Sequence, residues 1–208
     1  MSKLVFQLIK NGYLRSDLII DAFWEISREE FLPEELAREA EANIALPIGH
    51  GQTISQPLTV ALMLELLDPR RGHNILDIGS GSGWTTALLS YIVGKNGRVT
   101  AIEREGELKK IGERNVAKYG YLKDKKHGIA EFHVADGTKG FSKNAPYDRI
   151  LVSASAESVP KALKEQLKVG GKMIIPLRHS IWYLEKKSEN DFSKEEYPGF
   201  DFVPLIEN

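Results

Sequence analysis

The chain contains no cysteine. That absence excludes disulfides, thiolate metal sites, iron–sulfur ligation and cysteine nucleophiles. Long apolar runs are missing too. The best candidate, Thr59 to Leu67, is interrupted by Glu65 and falls well short of the ~18–20 uncharged residues of a membrane span. Near the start, Leu4-Val5-Phe6 is broken by Gln7 and is too short for a signal peptide's apolar core. Neither sign of charge is in excess. The 28 Lys+Arg against 29 Asp+Glu leave a net charge of -1, which argues against a protein built to wrap nucleic-acid phosphates, although a local basic patch is allowed. The five histidines (His50, His73, His127, His133 and His179) lack local metal-ligand spacing, so no metal is expected. What is present is ordinary for a globular protein: 208 residues, 42% hydrophobic and 27% charged. That length suits one domain, or one domain with a small appendage, burying roughly 70% of the unfolded surface without a metal or disulfide staple. The expectation is a cytoplasmic protein with no nucleic-acid or membrane partner, a monomer being favoured.

Along the chain, residues 1–68 read as a helical segment followed by a loop, and 69–208 as a separate α/β unit, the two forming one compact body. Ser16-Asp17 can cap a helix with Leu18, Ile19, Ala22, Phe23 and Ile26 at helical spacing. Pro33 with Glu34-Glu35 marks another helix start. Leu46 to Pro57, rich in glycine and hydroxyls and without regular period, reads as a loop, and Pro57 opens an apolar helix ending near Asp68-Pro69. From Asn74 strands and helices alternate. Strands are expected at 75–78, 98–103, 130–134, 148–152 and 172–176, with helices at 84–93, 105–119 and 160–167. Such alternation predicts a doubly wound, mostly parallel sheet. Ile181–Lys186 and Phe200–Leu205, separated by a polar stretch, suggest an antiparallel pair at one edge.

The loop after the first of these strands decides the cofactor. A dinucleotide fingerprint wants G-x-G-x-x-G. Counted from Gly79, its third place holds Trp84, so the fingerprint fails. The spacing is instead Gly79-Ser80-Gly81-Ser82-Gly83, with Asp77 two residues ahead. That arrangement resembles the first motif of class I S-adenosyl-L-methionine (SAM) methyltransferases, which have a Rossmann-like fold. SAM has no pyrophosphate, so such a loop must only let the backbone approach the methionine part, and glycines allow this. An acid beside an ammonium and a sulfonium is electrostatically reasonable. Glu103 lies 20 residues after Gly83, the offset of an acid at the end of strand two that bonds ribose hydroxyls. Asp136, ending strand three, stands where class I methyltransferases place an acid near the adenine amino group. Each acid alone is more simply a solvated residue or a cap. Three, each at the carboxyl end of a successive strand, converge on one crevice.

A longer resemblance concerns the substrate. Leu46-Pro47-Ile48-Gly49-His50-Gly51-Gln52-Thr53-Ile54-Ser55-Gln56-Pro57, the glycine loop, Asp136-Gly137-Thr138-Lys139-Gly140, Ala145-Pro146-Tyr147-Asp148-Arg149-Ile150, Gln166 to Lys172 and Phe202 to Ile206 together resemble the protein-L-isoaspartate (D-aspartate) O-methyltransferase family, in order and over nearly the whole chain. The resemblance implies transfer of the SAM methyl to the α-carboxylate of isoaspartyl residues in damaged proteins or peptides. It implies active-site hydroxyls at Ser55 and Thr53, with Ile54 and Gln56 beside the substrate. It also implies cofactor contacts from Asp77, Gly79, Ser80, Gly81, Gly83, Glu103, Arg104, Asp136 and Gly137, and a cleft wall including Val203. A methylase of the adenine or glutamine type would carry Asn/Asp-Pro-Pro-aromatic after strand four, where this chain has Ser153-Ala154-Ser155-Ala156. The alternatives are a SAM methyltransferase acting on a small molecule or nucleic acid, and a non-catalytic SAM-binding paralogue.

Plainer roles compete for several of these residues. Ser55 suits a cap for the helix begun at Pro57. That role is compatible with substrate contact, since a helix N-terminus favours a carboxylate. His50 is expected to pack in its loop, Trp24 and Phe31 in the core, and Lys123 to Lys126 in a solvated turn. Family members often carry a tyrosine and an acid where this chain has Glu41 and Asn43. Facing inward, Glu41 would weaken binding of an anionic substrate.

Overall fold

The computed structural model describes residues 2–122 and 128–207, so the lysines at 123–126 lie outside the described residues. Two helices, α1 (Lys3–Lys10) and α2 (Asp17–Glu25), open the chain, followed by two 3-10 turns at Arg28–Phe31 and Glu34–Glu39. The second turn takes the place of the helix expected from Pro33. Ser16 is the N-cap of α2 but makes no cap bond; its hydroxyl donates to Glu65 Oε2 at 2.7 Å.

The stretch expected as a loop is a small antiparallel hairpin, β1 (Leu46–Gly49) with β2 (Gln52–Ile54). Its turn, Gly49-His50-Gly51, has φ of +91°, +53° and +68°. The strands are four and three residues long, too short to stand out by period, yet the pattern is present in miniature. Leu46, Ile48 and Ile54 are buried, and the residues between them face out. Helix α3 (Pro57–Leu67) follows, ending on Asp68 in the left-handed conformation.

The main sheet has seven strands in the order β5-β4-β3-β6-β7-β8-β9: β3 (Asn74–Ile78), β4 (Arg98–Glu103), β5 (Ala130–Val134), β6 (Tyr147–Val152), β7 (Leu167–Leu177), β8 (Ser180–Lys186) and β9 (Phe192–Pro198). β5 to β7 run parallel to their neighbours around β3, while β8 and β9 are antiparallel. The mostly parallel α/β sheet with an antiparallel C-terminal edge is as expected. Its last strand is not. The edge strand is the polar segment Phe192–Pro198, where the sequence pattern predicts a connection. Its exposed Ser193 to Glu196 face water on an outermost strand, where apolar residues would be a liability. Phe200–Leu205 instead crosses the carboxyl ends of the strands, bonded to Ser155 through Val203 O and Leu205 N at 2.8 and 2.7 Å.

Helices α4 (Trp84–Val93) and α5 (Gly106–Ala117) cover one face of the sheet together with α1–α3, and the short α6 (Lys161–Gln166) covers the other. Phe31, stacked on Tyr119 at 5.9 Å, and the partly buried Trp24 belong to the packed interior. β3 sends β4 and β5 to one side and β6 and β7 to the other. The crevice at this switch point, above the carboxyl ends of β3, β4 and β6, is where doubly wound sheets bind ligands. No helix among the described residues is long and apolar enough to cross a membrane.

Candidate active site

The glycine loop leaves β3 at that crevice. Gly79, Gly81 and Gly83 all have positive φ, +76°, +52° and +94°, so L side chains would be strained at each. Space is short as well. A Cβ on Gly81 would lie 3.1 Å from Ile48 Cδ1 in the hairpin, and one on Gly83 would lie 2.9 Å from Gly112 O in α5. The loop is thus clamped between the β1–β2 hairpin and α5, with Asn115 Nδ2 donating to Ser82 O at 3.0 Å.

Two acids flank the loop, Glu103 bonding it directly and Asp77 bonding the start of α4 behind it. Asp77 is fully buried. Its Oδ2 accepts from Thr85 Oγ1 at 2.9 Å and Thr86 Oγ1 at 2.6 Å, while Oδ1 is buried without a partner. Burial pushes its carboxyl up to about 6, against the opposing hydroxyl hydrogen bonds, and the neighbouring Glu103 charge adds to the rise. Glu103, 5% exposed, accepts from Gly81 N at 2.9 Å and Glu105 N at 3.0 Å.

Above the loop lies a cleft enclosing about 910 Å³ of empty space, open solvent at its mouth included. Gly79, Ser80, Gly81, Glu103, Arg104 and Gly137 form one part of its wall, and Thr53, Ile54, Ser55 and Val203 another. The hairpin and the C-terminal crossing segment therefore meet the glycine loop around one space. Among the expected site residues, Asp77, Gly83, Asp136 and Gln56 are not in that wall. Asp77 and Gly83 sit beneath it. Asp136 turns away to cap the following 3-10 turn, its Oδ1 accepting from Thr138 N and Oγ1 at 2.9 and 2.6 Å and its Oδ2 pairing with Lys139 at 3.0 Å. Gln56 donates to Asn43 O at 2.9 Å.

Ser55 is half-buried and, contrary to expectation, does not cap α3. That helix has Gln56 at its N-cap with no side-chain bond, and Asn43 Oδ1 instead accepts from Leu58 N at 3.0 Å. Glu41 faces away from the cleft and accepts from Leu4 N, at the start of α1, at 2.8 Å. The acid that could have opposed an anionic substrate is spent on a helix terminus, where negative charge is favourable. His50 is exposed in the hairpin turn rather than packed. Sequence reasoning missed Ile48 and Trp84 as wall residues. The only sequence cue to Ile48 is its apolar alternation with Leu46 across Pro47.

The cleft suits SAM. Ser80 Oγ and Asp77 Oδ1 are buried polar atoms without partners beside it, and Gly79 and Gly81 present bare backbone to the space where a cofactor's backbone-hugging part would lie. Among the described residues, no group of three or more His, Asp or Glu could hold a metal ion.

The chain matches the family described as protein-L-isoaspartate(D-aspartate) O-methyltransferase over residues 1–208. It is 45% identical over 208 residues to a protein-L-isoaspartate O-methyltransferase of Methanopyrus kandleri, covering 98% of this chain and 90% of the relative. It is 42% identical over 207 residues to one of Thermococcus onnurineus, covering 97% and 91%. A solved protein-L-isoaspartate O-methyltransferase superposes with a TM-score of 0.87 at 31% identity, over 99% of this chain and 66% of that one. A Plasmodium falciparum protein solved in complex with S-adenosyl-L-homocysteine shares the fold, with a TM-score of 0.86 at 24% identity over 100% and 98%. The crevice, the clamped glycine loop and a match along the entire length converge: the chain belongs to the protein-L-isoaspartate (D-aspartate) O-methyltransferase family.

Proposed function

We infer that the protein is a SAM-dependent carboxyl methyltransferase that methylates the α-carboxylate of L-isoaspartyl residues in damaged proteins and peptides, the first step of their repair. The observation that carries this reading is a cleft in which a glycine loop braced by Glu103 faces Thr53 and Ser55, within a chain that belongs to this family throughout its length. When bound, SAM supplies an electrophilic methyl on a positively charged sulfur.

In this proposal the chain's own residues bind, orient and exclude water. The glycine loop and Ser80 receive the methionine part, the buried Asp77 offsets its positive charge from beneath, and Glu103 offers its remaining lone pairs to ribose hydroxyls. Arg104 and Gly137 border the same region; Asp136 acts by shaping the turn that presents Gly137. The substrate carboxylate lies against Ser55 and Thr53, with Ile54 and Val203 beside it and Gln56 holding the hairpin's exit. A carboxylate of pKa ~4 is already ionised at neutral pH, so no general base is required. Hydroxyls orient it without neutralising it in a tight ion pair. The work left to the site is alignment, with reacting atoms roughly 3–3.5 Å apart, and exclusion of water.

A monomer in the cytoplasm, with no nucleic-acid or membrane partner, completes the proposal, supported by near-balanced charge and the lack of a long apolar helix among the described residues. The test is the chemical nature of the product. Methyl label transferred from SAM to an isoaspartyl peptide should be released as methanol by mild alkali, as an ester requires. Alkali-stable label would instead denote methylation at nitrogen and refute a carboxyl acceptor.

A further inference from the structure

Arg28 is a buried cation. It is 5% exposed, and among the described residues no carboxylate pairs with it. Its Nη1 donates to Ala40 O and Ala42 O at 3.2 and 3.0 Å, and its Nη2 to Ile44 O and Ser55 O at 2.8 and 3.2 Å. Its Cζ stands 5.6 Å from the centroid of the Trp84 ring, and its Nε is buried without an acceptor. Burial lowers its pKa to about 10, which still leaves it charged at neutral pH. Glu29 and Glu41 border the same N-terminal cavity as Arg28, and Glu41 is taken up at Leu4 N.

Four carbonyls converging on one point would repel one another without a cation between them. A planar fork with several fixed donors satisfies them, and a lysine's single ammonium does not reproduce that geometry. One of the four belongs to Ser55 itself; the others belong to the segment that carries Asn43, the residue holding α3 and Gln56. Trp84, beneath the guanidinium, opens α4 directly after the glycine loop and lines the cleft. The clamp therefore ties together the two sides of the cleft.

We infer that Arg28 is a positioning residue for methyl transfer. Through the Ser55 carbonyl it fixes where the Ser55 hydroxyl stands relative to the glycine loop, and its positive charge behind Ser55, paired with no carboxylate among the described residues, favours an anionic group there. The inference rests on the isoaspartyl reading and deepens it by assigning the source of the site's preference for an anion, in a chain whose net charge is slightly negative.

The test compares Arg28→Lys, which keeps the charge and loses the fork, with Arg28→Met, which loses both. Rates are expressed per SAM-binding site counted by calorimetry. With Arg28→Lys, kcat on an isoaspartyl peptide should fall ~10–100-fold, the scale expected for misplacement of a catalytic group by about an ångström. KM for the peptide and Kd for SAM should stay within ~3-fold. With Arg28→Met, KM for the peptide should also rise ~10-fold, a response to lost positive potential. Wild-type kcat per site in Arg28→Lys overturns the positioning role, and so does a loss of SAM affinity and melting temperature that accounts for the whole effect with kcat per site unchanged. An unaltered KM in Arg28→Met overturns the electrostatic role; should that variant not fold, Arg28→Gln, which loses the charge but keeps amide donors for the carbonyls, replaces it, and an unaltered KM there overturns the electrostatic role in the same way. Wild-type protein inactive on the peptide would remove the underlying reading as well, whereas active wild type with indifferent variants removes only this inference.

Discussion

Asp77→Asn should reverse a penalty that the folded protein now carries. Asp77 is fully buried, and burial raises its carboxyl from 3.8 to about 6. A carboxyl with a raised pKa holds its proton more tightly folded than unfolded, so its ionisation works against folding. The penalty is small below pH 4, grows as pH rises, and is complete above pH 6. At about 1.4 kcal/mol for each factor of ten, it reaches about 3 kcal/mol at pH 8 and roughly half that at pH 5. The asparagine cannot ionise but brings its own cost, about 1–3 kcal/mol if its amide nitrogen finds no acceptor beside Thr85 and Thr86. The offset between the two proteins is therefore less telling than its slope. Measured by urea unfolding without cofactor, the stability of Asp77→Asn relative to wild type should improve by about 1–2 kcal/mol from pH 5 to pH 8. A gap independent of pH, or one that moves the other way, would refute this account of Asp77. The same linkage predicts that wild-type affinity for a cationic cofactor rises with pH through about 6, and that Asp77→Asn flattens this rise.

Ser55→Ala should depress methyl transfer by ~10-fold or more while SAM affinity stays near wild type; equal losses, read by calorimetry and label transfer, would make the serine merely structural. Glu103→Gln keeps the side chain's shape but replaces one acceptor oxygen with a donor that faces a backbone N–H, so SAM should bind ~10-fold or more weakly. Unchanged affinity would remove Glu103 from the cofactor site. Asn43→Ala removes the bond to Leu58 N and should cost about 0.5–2 kcal/mol of stability, read as a lower urea midpoint. No change would show that water caps α3 as well as Asn43 does.

The central sheet was readable because its cues are local and repeated. Asn74–Ile78 and Arg98–Glu103 are largely buried runs rich in β-branched and aliphatic residues, Ala130–Val134 alternates with Ala130 and Phe132 buried, and each leads to glycine or an acid at a crevice. The hairpin was not. Its strands are only three and four residues long, and they are held by Ile48 packing on Gly81 rather than by their own propensity. The true edge strand, Phe192–Pro198, hid because an edge facing water is polar, whereas apolar Phe200–Leu205 is needed to cross above the sheet and line the cleft. For the site, residue types at strand ends indicated the crevice, but not which acids face it. Asp136 satisfies Thr138 and Lys139, and Glu41 satisfies the start of α1. Both partnerships depend on turn geometry that no spacing reveals. Arg28, whose four acceptors are backbone carbonyls, left no side-chain pattern to find.

The most direct test offers the purified protein radiolabelled SAM with an isoaspartyl peptide and, separately, with the peptide of identical composition carrying ordinary aspartate. A cleft built to align an already ionised α-carboxylate of the isomerised linkage should label the first and leave the second at background. Label on both alike, or on neither, would contradict it.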